Sequence, residues 1–194
     1  MHRVIVPAGD VEWARFTSTP PRFIENSKNN PNRKQKFTRQ QKEGLRYEKR
    51  AIEYLEKTVA LQTFKRFHLL PSPWIMFKSK GNAFEQSYQG FRFCQPDSLL
   101  VNAIDKIVII VEIKYQHTSE AWRQVKLLYE PVVKKIGEFE GFNIRCLELS
   151  KWLDPHSSFP EQYYYEENIL ECKSDCFGVH LYKPSRNVRK KVKK

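Results

Sequence analysis

The strongest constraint on this chain is a pair of strand-forming runs joined by a short turn. Residues 91–101 and 106–115 both read as strands, and Asn102, Ala103, Ile104 and Asp105 lie between them. An antiparallel hairpin turning between Ile104 and Asp105 pairs residues whose numbers sum to 209. Leu99 then faces Ile110, Val101 faces Val108, and Asp97 falls opposite Glu112. Alternate side chains of a strand leave on opposite faces, so Glu112 and Lys114 project together. A slip of one residue would move these groups to different faces. The apolar run 107–111 is the longest in the chain and is far too short to span a membrane.

The remaining elements follow from periodicity. A helix is expected over 38–59, with an apolar stripe of Leu45, Ile52, Leu55 and Val59. Residues 74–77 form a short strand, and 81–90 form a polar loop. A second helix is expected over 119–136 on the face Ala121, Val125, Leu128, Val132 and Ile136, bent or interrupted before Pro131. Residues 142–149 and 177–182 are further strands, and 150–176 are irregular. The order predicts an α/β fold, a central mixed sheet of about four strands flanked by helices. Residues 1–36, punctuated by Pro20, Pro21 and Pro31, read as an irregular arm. A domain over 37–183 and a basic tail over 184–194 complete the expected organisation.

A chain of 194 residues suits one domain with a core that needs no disulfides. The formal net charge of +12 argues for a polyanionic partner, because Lys and Arg on phosphates release counterions. The charge is gathered at two places. Lys28, Arg33, Lys34, Lys36, Arg39 and Lys42 precede or open the first helix; Arg186, Arg189, Lys190, Lys191, Lys193 and Lys194 crowd the C-terminus. Cys94, Cys146, Cys172 and Cys176 form no CxxC pair, and free thiols are expected. Cys172, Cys176 and His180 supply only part of a metal clip. The N-terminal apolar run is too short for a signal peptide, so an intracellular protein is expected, cytoplasmic or nucleoid-associated. The basic tail is equally suited to phosphates or to a nuclear address.

Two carboxylates set opposite each other repel and weaken a sheet. A divalent cation between Asp97 and Glu112 removes that cost, and magnesium favours such oxygen ligands. Lys114 is then placed to position a water. Glu48 sits within the helical stripe, where a charge is costly unless it is paired or bound to metal; its bland reading is a flank residue reaching solvent. His117 follows the strand in a loop, where a histidine is ordinarily solvated. Gln95 adjoins Pro96. Tyr163, Tyr164 and Tyr165 offer stacking surfaces, although the acids beside them favour packing instead.

Gly44-x-x-x-Glu48, Pro96-Asp97 and Glu112-Ile113-Lys114 together resemble the PD-(D/E)XK nuclease superfamily. The helix bearing Gln124 and Tyr129 resembles the Gln-x-x-x-Tyr helix of its RecB-type and lambda-exonuclease-like branch. The resemblance covers about residues 40–150 and implies a restriction-endonuclease-like core. It implies that Asp97 and Glu112 hold magnesium or manganese, helped by the Ile113 carbonyl and Glu48. It implies that Lys114 aligns the attacking water and that Gln124 and Tyr129 orient the phosphate or Lys114. The implied function is hydrolysis of DNA, by exonuclease or endonuclease action, within DNA processing such as recombination and alongside protein partners there. Gln124 and Tyr129 stand five apart where the branch pattern has four, a departure that bears on Tyr129 first. The cysteine spacing of the branch's iron–sulfur members is absent. Two other readings stand beside this one: a non-catalytic nucleic-acid-binding module that retains the fold, and an assembly factor whose basic ends bind RNA.

Overall fold

A computed structural model describes residues 9–18, 37–63, 66–80, 91–153, 163–173 and 176–184. The strands are β1 (Asp10–Thr17), β2 (His68–Pro71), β3 (Trp74–Lys80), β4 (Arg92–Cys94), β5 (Ser98–Asn102), β6 (Ile107–Gln116), β7 (Asn143–Trp152), β8 (Tyr163–Tyr165) and β9 (Phe177–Leu181). Helix α1 is Arg39–Ala60; α2 (Ser119–Gln124) runs through a π-helical turn, Val125–Tyr129, into α3 (Glu130–Val133). The fold is mixed α/β. A six-stranded sheet has the order β2-β5-β6-β7-β9-β8, and β1-β3-β4 form a second, three-stranded sheet. The large sheet is antiparallel from β2 to β6 and parallel from β6 to β8. Among the described residues, no helix is long and apolar enough to cross a membrane.

The central hairpin adopts the expected register. Ser98 pairs with Val111, Leu99 with Ile110 and Val101 with Val108. Asn102 closes the turn: its Oδ1 accepts from the backbone N–H of Ile104 at 3.1 Å and of Asp105 at 2.9 Å. Such local side-chain bonding substitutes for the ladder where the chain must reverse. Lys106 leaves the turn with φ of +50°.

Alternate residues of β6 feed two cores. Val108 and Ile110 pack with Leu99, Val125, Tyr129 and Val132, beneath α2, the π turn and α3. Ile109, Val111 and Ile113 pack beneath α1, against Tyr47, Ala51 and Leu55. A strand covered on both faces needs apolar residues at every position, which accounts for the unbroken run before Glu112.

Four expectations are corrected. Residues 10–17, assigned to an irregular arm, form β1, and Val11 and Ala14 enter the core. The run 91–101 is two strands in different sheets rather than one. Pro96 has no N–H for a ladder, and the chain leaves one sheet for the other at Gln95–Asp97. The large sheet has six strands, because the short β2 and β8 join the expected β5, β6, β7 and β9, while the expected strand at 74–77 lies in the second sheet. The buried face of α1 is Tyr47, Ala51 and Leu55, while Leu45 is 51 % exposed. The aromatic ring decides that rotation: Tyr47 meets Tyr115 edge-on at 5.9 Å, and its hydroxyl donates to the Tyr182 carbonyl at 3.2 Å. The start of α1 is a capping box, with Thr38 Oγ1 accepting from Gln41 N–H and Gln41 Oε1 accepting from Thr38 N–H. The loop 81–90, the basic residues Lys28, Arg33, Lys34 and Lys36, and the tail 186–194 lie outside the described residues.

Candidate active site

Asp97 stands one residue before β5. Extending the hairpin register one step past Ser98–Val111 sets it beside Glu112, whose carboxyl feels its charge. Its backbone carbonyl accepts from Ser72 N–H at 2.8 Å and Ser98 Oγ at 2.6 Å, which pins the Pro96–Asp97 corner. Its Oδ2 accepts from the Ile113 N–H at 2.6 Å. A strand residue sends its N–H and C=O to one edge, so the Ile113 carbonyl also faces this corner.

Glu112 is 1 % exposed. Its Oε1 accepts from Lys114 Nζ at 2.5 Å. Its Oε2 is buried and has no hydrogen-bond partner among the described residues. Leaving a buried acceptor unsatisfied carries a desolvation penalty of about 1–3 kcal/mol, more for a charged group. Burial and the neighbouring charge of Asp97 push the Glu112 carboxyl up to about 8, although Lys114 opposes the shift. Burial raises Asp97 to about 6, against the pull of the Ile113 N–H, and Glu48 adds to the rise. For Lys114, burial opposes the charged form, but the carboxylate of Glu112 outweighs it and holds the ammonium above its ordinary value.

Lys114 is held at both ends of a bond relay. Its ammonium donates to Gln124 Oε1 at 3.1 Å, Gln124 Nε2 donates to the Tyr129 hydroxyl at 2.5 Å, and that hydroxyl donates to the Gln95 carbonyl at 3.1 Å. The five-residue interval between Gln124 and Tyr129 is explained by the π turn between them. A π turn carries i→i+5 bonding, and the Glu130 N–H donates to the Val125 carbonyl. One extra residue per turn stacks side chains five apart, as an α turn stacks those four apart. Pro131 supplies the cause: it cannot donate to the Leu127 carbonyl, and its ring clashes there, so the helix widens just upstream.

Glu48 is half-buried on α1 and lies close enough to act on the charge of Asp97. It lines a shallow groove with Leu45, Lys49, Ile52, Glu53 and Glu56 rather than the buried stripe.

Glu148 was missed by sequence reasoning. It pairs directly with Glu112 across β6 and β7, on the same face, and is fully buried. Its Oε2 lies 2.7 Å from Nδ1 of His117, which is itself buried rather than solvated. Burial raises the Glu148 carboxyl, and His117 opposes that rise. The signal was present: a carboxylate in the apolar run of β7, in step with Ile144 and Cys146 of the core.

The other candidates resolve differently. Gln95 Nε2 donates to the Ser72 carbonyl at 2.8 Å, tying the Asp97 corner to the turn after β2. Tyr164 is bonded through its hydroxyl to the Lys173 N–H, in an edge strand. His180 engages the Glu166 carbonyl at 2.8 Å and the Tyr54 hydroxyl at 3.1 Å, so Cys172, Cys176 and His180 do not form a metal clip. All four cysteines are free thiols. Among the described residues, no three His, Cys, Asp or Glu side chains form a ready metal cage.

Asp97 and Glu112 fit a cation of another kind. Magnesium is commonly held by one or two carboxylates, with water and substrate phosphate filling the remaining positions. The partnerless Glu112 Oε2 is an oxygen suited to that role. No family model, no curated protein and no solved structure matches this chain.

Proposed function

We propose that this protein is a magnesium-dependent nuclease that hydrolyses DNA phosphodiester bonds at the Asp97–Glu112–Lys114 corner, on a restriction-endonuclease-like core. One observation carries the reading. Asp97 and Glu112 stand together with a lysine, and one oxygen of the buried Glu112 has no hydrogen-bond partner among the described residues. Glu148 Oε1 is likewise buried without a partner among the described residues, so the joint placement of Asp97, Glu112 and Lys114 is what supports the reading.

Asp97 and Glu112 would hold the cation, with the Ile113 carbonyl and Glu48 beside them. Magnesium, when bound there, supplies Lewis acidity toward a phosphate oxygen. The remaining work belongs to the chain. The Lys114 ammonium orients the attacking water and balances charge that builds on the phosphate. Gln124 and Tyr129 fix the direction of that ammonium. Manganese is an equivalent hard cation for the same oxygens.

The deciding experiment is cleavage of plasmid and single-stranded DNA against magnesium concentration, for wild type and Glu112→Gln. Wild type should cut only with the metal and stop in chelator. The variant should lose about 100-fold or more while still binding DNA. Cleavage that persists in excess chelator, or in the variant, would end the proposal. The absence of a ready three-ligand cage among the described residues favours one alternative, a nucleic-acid-binding module without catalysis. That module would bind DNA and cut nothing at any magnesium concentration.

A further inference from the structure

We propose that the indole of Trp152 is a stacking platform for an unpaired base, by which the protein grips single-stranded DNA beside the acidic corner. The choice of ligand rests on the nuclease reading, but the platform is tested separately from cleavage.

Trp152 ends β7 and is 47 % exposed. An exposed indole on an otherwise buried strand contributes little to the core and suits a ligand with a π-face. Its position on the sheet is specific. Lys114 pairs with Ser150, and Gln116 pairs with Trp152. Alternation along β7 therefore puts Trp152 on the face of Glu148, Glu112 and Lys114. It lies one diagonal step from Lys114, about 7–8 Å between backbones, a separation that an extended nucleotide spans.

The surroundings are cationic. The ammonium groups of Lys151 and Lys183 lie 5.2 and 5.3 Å from the centre of the indole ring. Lys151 also sits 4.5 Å from the Tyr115 ring and donates to its hydroxyl at 3.2 Å. On the opposite face of the sheet, where Tyr115 meets Tyr47 of α1, Lys151 lines a groove at the same strand ends with Arg46, Arg50 and Glu43. The Glu43 carboxylate is taken by Arg39 at 3.2 Å. Aromatic rings interleaved with cations are what a sequence-tolerant single strand requires, since bases stack and phosphates pair with the cations.

Magnitudes decide whether a base can replace the lysines over the ring. A cation over an exposed ring contributes a factor of about 2–5. A stacked base contributes roughly 5- to 150-fold. The base therefore displaces an ammonium from the ring, and the ammonium is left beside the phosphate of the nucleotide it made room for.

The test is binding of a labelled oligothymidine, and of a blunt duplex of equal length, to the full chain in chelator, where no cleavage occurs. Trp152→Ala should weaken oligothymidine binding about tenfold and change duplex binding by less than about twofold. Trp152→Phe should restore most of the loss. Equal thermal denaturation of the three proteins shows that the fold is unchanged. The proposal fails if the alanine variant binds oligothymidine as wild type does, if it loses both ligands alike, if phenylalanine does not rescue, or if wild type does not bind the oligonucleotide. Trp152-dependent binding without magnesium cleavage would sink the nuclease reading alone. Cleavage with binding indifferent to Trp152 would sink this inference alone.

Discussion

Burial keeps the Glu112 carboxyl protonated to a higher pH than an ordinary glutamate. Its proton is held at about 8 in the folded chain against 4.5 for the ordinary group. A raised carboxyl binds its proton more tightly folded than unfolded. The stability this gives is complete below about pH 4.5 and is lost as pH rises through about 8. Asp97 adds the same trend from 3.8 to about 6. In chelator the melting temperature should therefore fall between about pH 5 and pH 8. Glu112→Gln, with no proton to lose there, should fall less steeply. Melting curves at several pH values check this, and parallel trends for the two proteins would contradict it. Glu48 is the second residue to test. A carboxylate that supports a metal from beside its ligands is worth about a tenfold change in metal affinity. Glu48→Gln should shift cleavage to about tenfold higher magnesium, with stability little altered. Superimposable magnesium curves would remove Glu48 from the site and leave Asp97, Glu112 and Lys114 in place.

The second helix draws its precision from an irregularity. Its π turn brings Gln124 against Tyr129, and through Gln124 it fixes Lys114. Removing one residue from the turn should restore α spacing, with the same two side chains now four apart and still adjacent. Deletion of Leu127, which is only half-buried, should lower the melting temperature modestly and preserve magnesium-dependent cleavage within about tenfold. Deletion of Ile52 from α1 is the contrast. It should rotate Leu55 away from the face that buries Tyr47 and Ala51, and the protein should unfold at ordinary temperature. Circular dichroism melts of the two deletions distinguish them. Equal damage from both would mean that the π turn is no more tolerant than a regular helix.

The whole molecule carries +12, and six of its positive charges lie in residues 186–194. Each phosphate contact steepens the salt dependence of duplex binding by about 0.9 in the log–log slope. Deleting 186–194 should make that slope shallower by up to about 5, weakening all sequences alike. Binding isotherms over a salt series give the slope directly. An unchanged slope would make the tail a bystander in binding.

The amino-acid sequence alone determined those features that short-range rules govern. Alternation and a turn closed by Asn102 set the register of the β5–β6 hairpin, and that register aligned Asp97, Glu112 and Lys114. Helix α1 and the interruption near Pro131 were legible for the same reason, since capping and the missing proline N–H act within a few residues. Tertiary structure decided everything that depends on distant partners. Tyr47 rather than Leu45 faces the sheet because Tyr115 and Tyr182 receive it there, 68 and 135 residues away. Residues 10–17 become a strand only because β3 offers an edge. Glu148 becomes part of the acidic row only through parallel pairing of β6 with β7, and His117 is buried by the same act. A local pattern states which faces a segment presents; what each face meets is fixed by burial across the whole chain, and only the packed molecule contains that information.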